Sequence, residues 1–415
     1  MACQAVNFRV VFRRMLKHKG HRKFYYLDNA AATPIDPRVL KSMTLAYKKY
    51  GNPSSFNNAG RLAREEMESA RLTIARFLGA RPEEIVFTSS GSEANNLALR
   101  GVLNNEQRTV LTTPIEHPSV LETLKRIKGI KVKYVPVDKE GLVELDAFQN
   151  MLTAHCSLVS VMYANNEIGT IEPIAKIGRL IRGLEIRNSK LEIDGKLIRP
   201  VFHVDACQAV GFLNMNVQHL GADLVTFNGS KIYGPRGVGV LYVRRGTKLR
   251  SLILGGSQER GLRAGTENVP AIVGLAKAVA LLKEARIKKQ ELRIKFIRDY
   301  AIKKLEEISG VILNGPRKDK RLVNNISICV PNLESENLLL ELDKYGISAG
   351  SGSACASHSV EPSHVLKAIG VPAKYINGAL RFSLGRETTK KDIDYLVKSL
   401  VKIIAELTKR YARLR

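Results

Sequence analysis

Through the first two-thirds of the chain, short apolar runs alternate with segments whose apolar residues recur every three or four positions. The short runs fall at 25–27, 84–88, 109–112, 132–137, 158–163, 201–205, 224–227 and 239–243 and read as strands. Helical periodicity fills 37–50, 60–78, 94–103, 118–128, 145–152 and 173–182. Such alternation predicts an α/β fold with a mainly parallel sheet. In sheets of this kind the chemistry gathers at the carboxyl ends of the strands. After about residue 265 the pattern changes. Two helical segments cover 270–308, then come a strand at 325–330, a helix at 336–344, a short strand at 347–348, a Gly/Ser/Ala loop at 349–357, a strand at 380–383 and a closing helix at 391–410. This part reads as a smaller α+β domain. Residues 187–200, mixed in charged, Asn and Gly residues, read as a surface hairpin.

Composition narrows the class. Of 415 residues, 44% are hydrophobic and 25% charged, which excludes a disordered chain. The best membrane candidate, 269–282, is too short and contains Lys277. Five cysteines (Cys3, Cys156, Cys207, Cys329, Cys355) form no CxxC pair. They argue for a reducing compartment, and against a disulfide framework or a zinc site. Cys156, Cys207 and Cys329 lie in or beside apolar strands and read as core residues.

The unusual quantity is charge: 66 Lys and Arg against 39 Asp and Glu, a formal excess of +27. Residues 1–24 contribute seven basic side chains and no acid. They read as a disordered basic arm of a cytoplasmic protein, with a mitochondrial transit peptide as the alternative. A second basic stretch, 283–304, carries interleaved acids and apolar residues at helical spacing, so it reads as one exposed helix face. No nucleic-acid motif accompanies the charge, and no direct nucleic-acid binding is expected.

Several residues carry candidate chemistry. Lys231 follows an apolar strand inside Asn228-Gly229-Ser230-Lys231, with Gly234-Pro235-Arg236-Gly237 behind it. Taken alone it reads first as an exposed structural lysine; partly buried, it is an amine nucleophile toward aldehydes. Asp205 ends the preceding strand and belongs at the same sheet edge. A carboxylate beside such a lysine suits pyridoxal phosphate, whose ring nitrogen a carboxylate keeps protonated. Gln208 and Asn165 sit where they could donate to the cofactor's phenolic oxygen, or simply cap turns. Ser90-Gly91-Ser92 opens a helix, a place for phosphate or an ordinary N-cap. His117 follows a strand and suits stacking on a flat ring and proton movement. Cys355 sits in Gly350-Ser351-Gly352-Ser353-Ala354-Cys355-Ala356-Ser357, where small neighbours suit a nucleophile that must travel.

Taken together these motifs resemble the NifS/IscS-type cysteine desulfurases. The strongest pieces are Asn165-Asn166-Glu167-Ile168-Gly169, His203-Val204-Asp205-Ala206-Cys207-Gln208, Lys231-Ile232-Tyr233-Gly234-Pro235, Glu259-Arg260-Gly261-Leu262-Arg263-Ala264-Gly265-Thr266 and Gly352-Ser353-Ala354-Cys355. The resemblance implies a fold-type I pyridoxal-phosphate enzyme: an α/β large domain with a mainly parallel seven-stranded sheet, plus a smaller α+β domain. The implied division is an arm at 1–24, a large domain at 35–285, and a small domain made of 25–34 and 286–415 that carries the Cys loop. Implied roles are Lys231 as the cofactor-bonding amine, Asp205 on the ring nitrogen, and Asn165 and Gln208 on the phenolic oxygen. His117 would stack on the ring. Gly91, Ser92, Ser230 and a Thr266 from the neighbouring subunit would hold the phosphate, and Asn228 would also bind the cofactor. Asn165 and Arg381 would bind substrate, and Cys355 would accept sulfur. The implied reaction converts L-cysteine to L-alanine and leaves a persulfide on Cys355. A homodimer would pass that sulfur to an iron–sulfur scaffold or a tRNA-thiolation factor. No resident metal is implied, although Cys355 could contact an iron–sulfur cluster transiently. A selenocysteine lyase or another class-V enzyme is the alternative. The chain departs from the family pattern at Ser230 and Asn57, where His is usual, and at Cys207, usually Thr or another small residue.

Overall fold

The computed structural model describes residues 23–103, 108–153, 155–187, 192–193, 196–197, 199–352 and 362–412. Cys3, Cys355 and all but the last two residues of the basic arm lie outside the described residues. In chain order the main elements are β1 (Tyr25–Tyr26), α1 (Pro37–Tyr47), α2 (Asn58–Leu78), β2 (Ile85–Thr88), α3 (Gly91–Val102), β3 (Arg108–Thr112), α4 (Pro118–Arg126), β4 (Ile130–Tyr134), α5 (Leu145–Met151), β5 (Cys156–Met162) and α6 (Ile174–Arg187). A two-stranded antiparallel pair, β6 (Glu192–Ile193) and β7 (Lys196–Leu197), occupies the stretch expected to form a hairpin. Then follow β8 (Val201–Asp205), α7 (Val217–Leu220), β9 (Leu224–Asn228), β10 (Gly239–Val243), α8 (Val269–Leu281) and α9 (Ala285–Glu306). The remainder is β11 (Ile312–Leu313), β12 (Asn325–Cys329), α10 (Ser335–Lys344), β13 (Ile347–Ser348), α11 (His364–Ala368), α12 (Ala373–Ile376), β14 (Ala379–Ser383) and α13 (Lys390–Ala412).

Seven strands form the central sheet in the order β2-β10-β9-β8-β5-β3-β4. Only β10 runs against its neighbours. Successive side chains point to opposite faces. Leu158, Leu224 and Leu241 therefore join one apolar cluster, with Leu97 and Val120 of α3 and α4. Their neighbours Val159, Val225 and Val240 join the other, with Ile74 of α2 and Leu275 of α8. Both faces are covered, which is why these strands read as continuous apolar runs rather than alternating ones.

Some boundaries move for physical reasons. The strand expected at 132–137 is instead Ile130–Tyr134, because Pro136 has no N–H to give the ladder. Asn57, which stands where the family usually has His, caps α2: its side chain accepts from Gly60 N at 2.9 Å. Gly79 ends that helix at φ 67°, a conformation that favours glycine.

A further cluster unites the C-terminal part. Ile297, Leu305, Ile326, Phe382, Leu396 and Leu400 pack together with Leu27. β12 lies antiparallel between β11 and β14, and β1 pairs in parallel with β13. From there the chain returns to the large sheet. Thr33 N donates to Ser230 O at 2.8 Å, and Asp36 N to Tyr233 O at 2.9 Å. The beginning of the described chain thus spans from the C-terminal cluster to the segment around Lys231. Among the described residues no helix is long and apolar enough to cross a membrane.

Candidate active site

A cavity of about 300 Å³ opens at the carboxyl ends of the parallel strands. Ser89 to Ser92 follow β2, His117 follows β3, Met162 ends β5, Asp205 ends β8, and Asn228 ends β9, with Ser230 and Lys231 just beyond it. Gln208, Cys207 and Arg381 complete the wall. The sheet therefore brings Lys231, Asp205, His117, Gly91, Ser92, Gln208, Asn228 and Ser230 to one place, and β14 of the three-stranded sheet adds Arg381.

Lys231 donates from Nζ to Ala31 O. Its turn is clamped from both sides: Thr33 Oγ1 donates to Ser230 O at 3.0 Å and accepts from Tyr233 N at 2.7 Å. Tyr233 itself lies at φ 60°, uncommon for an aromatic residue. Ser230 Oγ donates to Asn228 Oδ1 at 2.8 Å, so the hydroxyl that replaces the family's usual imidazole is fixed by its own turn.

Asp205 is 5% exposed. Its carboxylate accepts from Asn95 Nδ2 at 2.7 Å and from Cys207 N at 3.0 Å. His117 caps α4, its Nδ1 accepting from Ser119 N at 3.1 Å. Burial holds this imidazole below its ordinary range; Asp205 offsets the effect, while Lys231 and His364 add to it. Deeper still, burial pushes the Glu116 carboxyl up to about 8, although it accepts from Thr113 Oγ1 at 2.7 Å and Met162 N at 2.9 Å.

Two expectations need correction. Asn165 does not line the cavity. Its side chain is fully buried, donating to Ile115 O at 2.9 Å and accepting from Glu167 N and Ile168 N at 2.8 and 2.9 Å. The turn consumes both ends of the amide, and the neighbouring Asn166 lines the wall instead. Cys207 is not a core residue like Cys156 and Cys329, because two residues beyond the end of β8 the chain has already reached the cavity. Burial and the nearby Asp205 push its thiol well up, which disfavours the thiolate.

Thr266 is exposed and lines a different cavity, shared with Ser89, Gly237 and Val238. The segment before it is held by Glu259, which is buried in a bidentate pair with Arg71 at 2.8 Å and also accepts from Phe87 N at 2.8 Å. Asn95 and Ser119 escaped sequence reasoning, as did Asn166. The one available signal was Asn95 itself, a polar residue beside Ala94 on the inward side of α3.

The cavity suits a flat aromatic cofactor that carries an anionic group. Gly91 packs so closely that a Cβ there would sit 2.7 Å from Cys207 Sγ and 2.9 Å from Asn228 Nδ2. The wall thus offers bare backbone where α3 begins, and first-turn amides have no acceptor within a helix. A lysine amine, a buried carboxylate and an imidazole border the same space. Among the described residues no group of three or more His, Cys, Asp and Glu is arranged to hold a metal ion.

Comparison with known proteins agrees with this chemistry. The aminotransferase class-V family model matches residues 25–396. A protein of Dictyoglomus turgidum named cysteine desulfurase IscS is 44% identical over 389 residues, covering 92% of this chain and 95% of that relative. Among solved structures, a NifS-like protein superposes with a TM-score of 0.83 at 38% identity, covering 92% of this chain and all of the other. Another, described as SspA in complex with cysteine, has a TM-score of 0.73 at 31% identity, covering 88% of this chain and 100% of its own.

Proposed function

Because this chain belongs to the aminotransferase class-V family and is a cysteine desulfurase, we propose that its strand-end cavity binds pyridoxal phosphate and L-cysteine. The observation that carries this reading is the convergence of Lys231, Asp205 and His117 on one cavity whose floor is the glycine backbone of α3.

Lys231 would bond the cofactor and then move a proton at the substrate's α-carbon. Asp205 would hold the proton on the ring nitrogen, and His117 would stack on the ring. Gln208 would face the phenolic oxygen, joined by Asn166 in place of Asn165. Gly91, Ser92, Asn228, Ser230 and Thr266 of the partner subunit would hold phosphate. Arg381 would bind the substrate carboxylate. When bound, the cofactor supplies the electron sink that weakens bonds at the α-carbon. The Cys355 thiolate attacks the substrate sulfur. A sulfur–sulfur bond forms as the carbon–sulfur bond breaks, the electron pair of that bond stays with the β-carbon, which takes up a proton, and alanine leaves. Cys355 belongs to the sequence motif and lies outside the described residues.

Several finer readings accompany this one. Exposed Phe56, Tyr50 and Leu254, at 91%, 90% and 85%, support a homodimer. The separate apolar clusters support a division into a large domain at 35–285 and a small one of 25–34 with 286–415. The +27 excess supports an acidic acceptor, an iron–sulfur scaffold or a tRNA-thiolation factor. The test is the visible absorption of the purified protein. Added pyridoxal phosphate is expected to produce a bound chromophore that L-cysteine perturbs. A protein that stays colourless would end the reading.

A further inference from the structure

His117 and Asp205 are joined by a line of hydrogen bonds through two residues with no assigned role. Asn95, on α3, is 1% exposed and donates from Nδ2 to Asp205 Oδ2 at 2.7 Å and to Ser119 Oγ at 2.8 Å. Ser119 Oγ lies 2.8 Å from His117 Nδ1. Directions along this line follow from chemistry. An ionised carboxylate can only accept, so the amide must turn its NH₂ toward Asp205. That orientation leaves Asn95 Oδ1 buried without a partner among the described residues, a cost that the two donated bonds outweigh. Ser119 Oγ receives an amide proton, so its own proton points at His117. The backbone N–H of Ser119 can only donate, and it too points at Nδ1. Nδ1 therefore faces two donors and carries no proton, and the ring's only proton is on Nε2.

We propose that Asn95 and Ser119 are positioning residues that hold His117 as the neutral Nε2–H imidazole, through a hydrogen-bonded line anchored on Asp205. The inference rests on the reading that His117 and Asp205 border the cofactor site. Its consequence is that the two groups flanking that site are not independent. Protonating His117 at Nδ1 would confront the Ser119 amide and turn the Ser119 hydroxyl away from its acceptor. The line thus opposes a second proton on the ring. Other titratable groups act on the ring as well: Asp205 at the end of β8 favours the charged form, while Lys231 after β9 and His364 on α11 disfavour it. None of these contacts Nδ1, which is taken by Ser119 alone among the described residues.

The experiment is ring-nitrogen NMR on the full chain labelled with [15N]histidine. His117→Gln identifies the signal among the eight histidines. The wild type is expected to show an unprotonated Nδ1 and a protonated Nε2 at neutral pH. Ser119→Ala is expected to raise the titration midpoint of His117 by about half a pH unit to one unit, the effect of one lost hydrogen bond. Ser119→Thr, which restores the hydroxyl, returns the midpoint to the wild-type value. Asn95→Asp, which gives the Ser119 hydroxyl a competing acceptor, raises it further; if that variant does not fold, the Ser119 pair decides alone. A protonated Nδ1 in the wild type, or an unchanged midpoint in Ser119→Ala, would overturn the proposal. These readouts need no turnover. An unmoved midpoint with normal alanine formation removes the relay and leaves the activity. A moved midpoint with no alanine formed removes the activity and leaves the relay.

Discussion

Arg381 Nη2 donates to Asp28 Oδ1 at 2.8 Å, tying β14 to the turn that follows β1 at the cavity wall. The same guanidinium donates to Asn166 O at 2.9 Å, while its buried Nε has no partner among the described residues. A buried donor left unmade is costly, and the substrate carboxylate proposed for this site would supply its acceptor. Arg381→Lys keeps the charge but loses the planar fork. The variant is expected to raise KM for L-cysteine about tenfold or more, with a smaller change in kcat. Initial rates of alanine formation against L-cysteine concentration check this. An unchanged KM would remove Arg381 from the substrate site.

The exposed aromatic patch makes a prediction about assembly. Phe56 and Tyr50 are almost fully exposed, on the segment between α1 and α2, and an isolated chain gains nothing from such exposure. Sedimentation of the wild type should give twice the chain mass. Phe56→Glu combined with Tyr50→Glu should shift it toward the monomer and reduce phosphate-side affinity for the cofactor, since Thr266 would then have no neighbour to serve. A wild type that sediments as a monomer would contradict the homodimer.

Two buried carboxyls set a pH dependence of stability. Burial pushes Glu116 and Glu172 up to about 8 each, against an ordinary value near 4.5. Each has one carboxyl oxygen without a partner among the described residues. The folded state holds these protons longer than the unfolded one. Their contribution is therefore complete below about 4.5 and declines as pH rises through 8. Glu116→Gln, which is neutral throughout, should flatten that decline. Its melting temperature relative to the wild type should improve by about a few degrees between pH 5 and pH 8.5. A constant difference across that range would show that Glu116 is ionised in the folded protein.

The sheet was legible because its strands are buried on both faces and run apolar without interruption, as at Val201–Asp205 and Gly239–Val243, where expectation and structure coincide. Strand-end residues were legible for the same reason: once β8 and β9 are recognised, Asp205 and Lys231 fall at one edge. The two-residue edge strand β11 left no periodicity to detect. Asn165 and Asn166 are adjacent and identical in type, so only the turn geometry decides which amide is consumed by backbone and which reaches the cavity. Asn95 and Ser119 were hidden differently. Their partners lie 110 and 24 positions away along the chain, and no local pattern announces bonds made between α3, α4 and the end of β8.

The central claim is that sulfur leaves L-cysteine for Cys355. Intact-mass measurement after one turnover without reductant tests it directly. The wild type is expected to gain one sulfur atom on the peptide containing Cys355, matched by one equivalent of alanine. Cys355→Ala should keep the cofactor's absorption and gain none. Equal sulfur uptake by that variant, or alanine released with no sulfur retained by the wild type, would contradict the account.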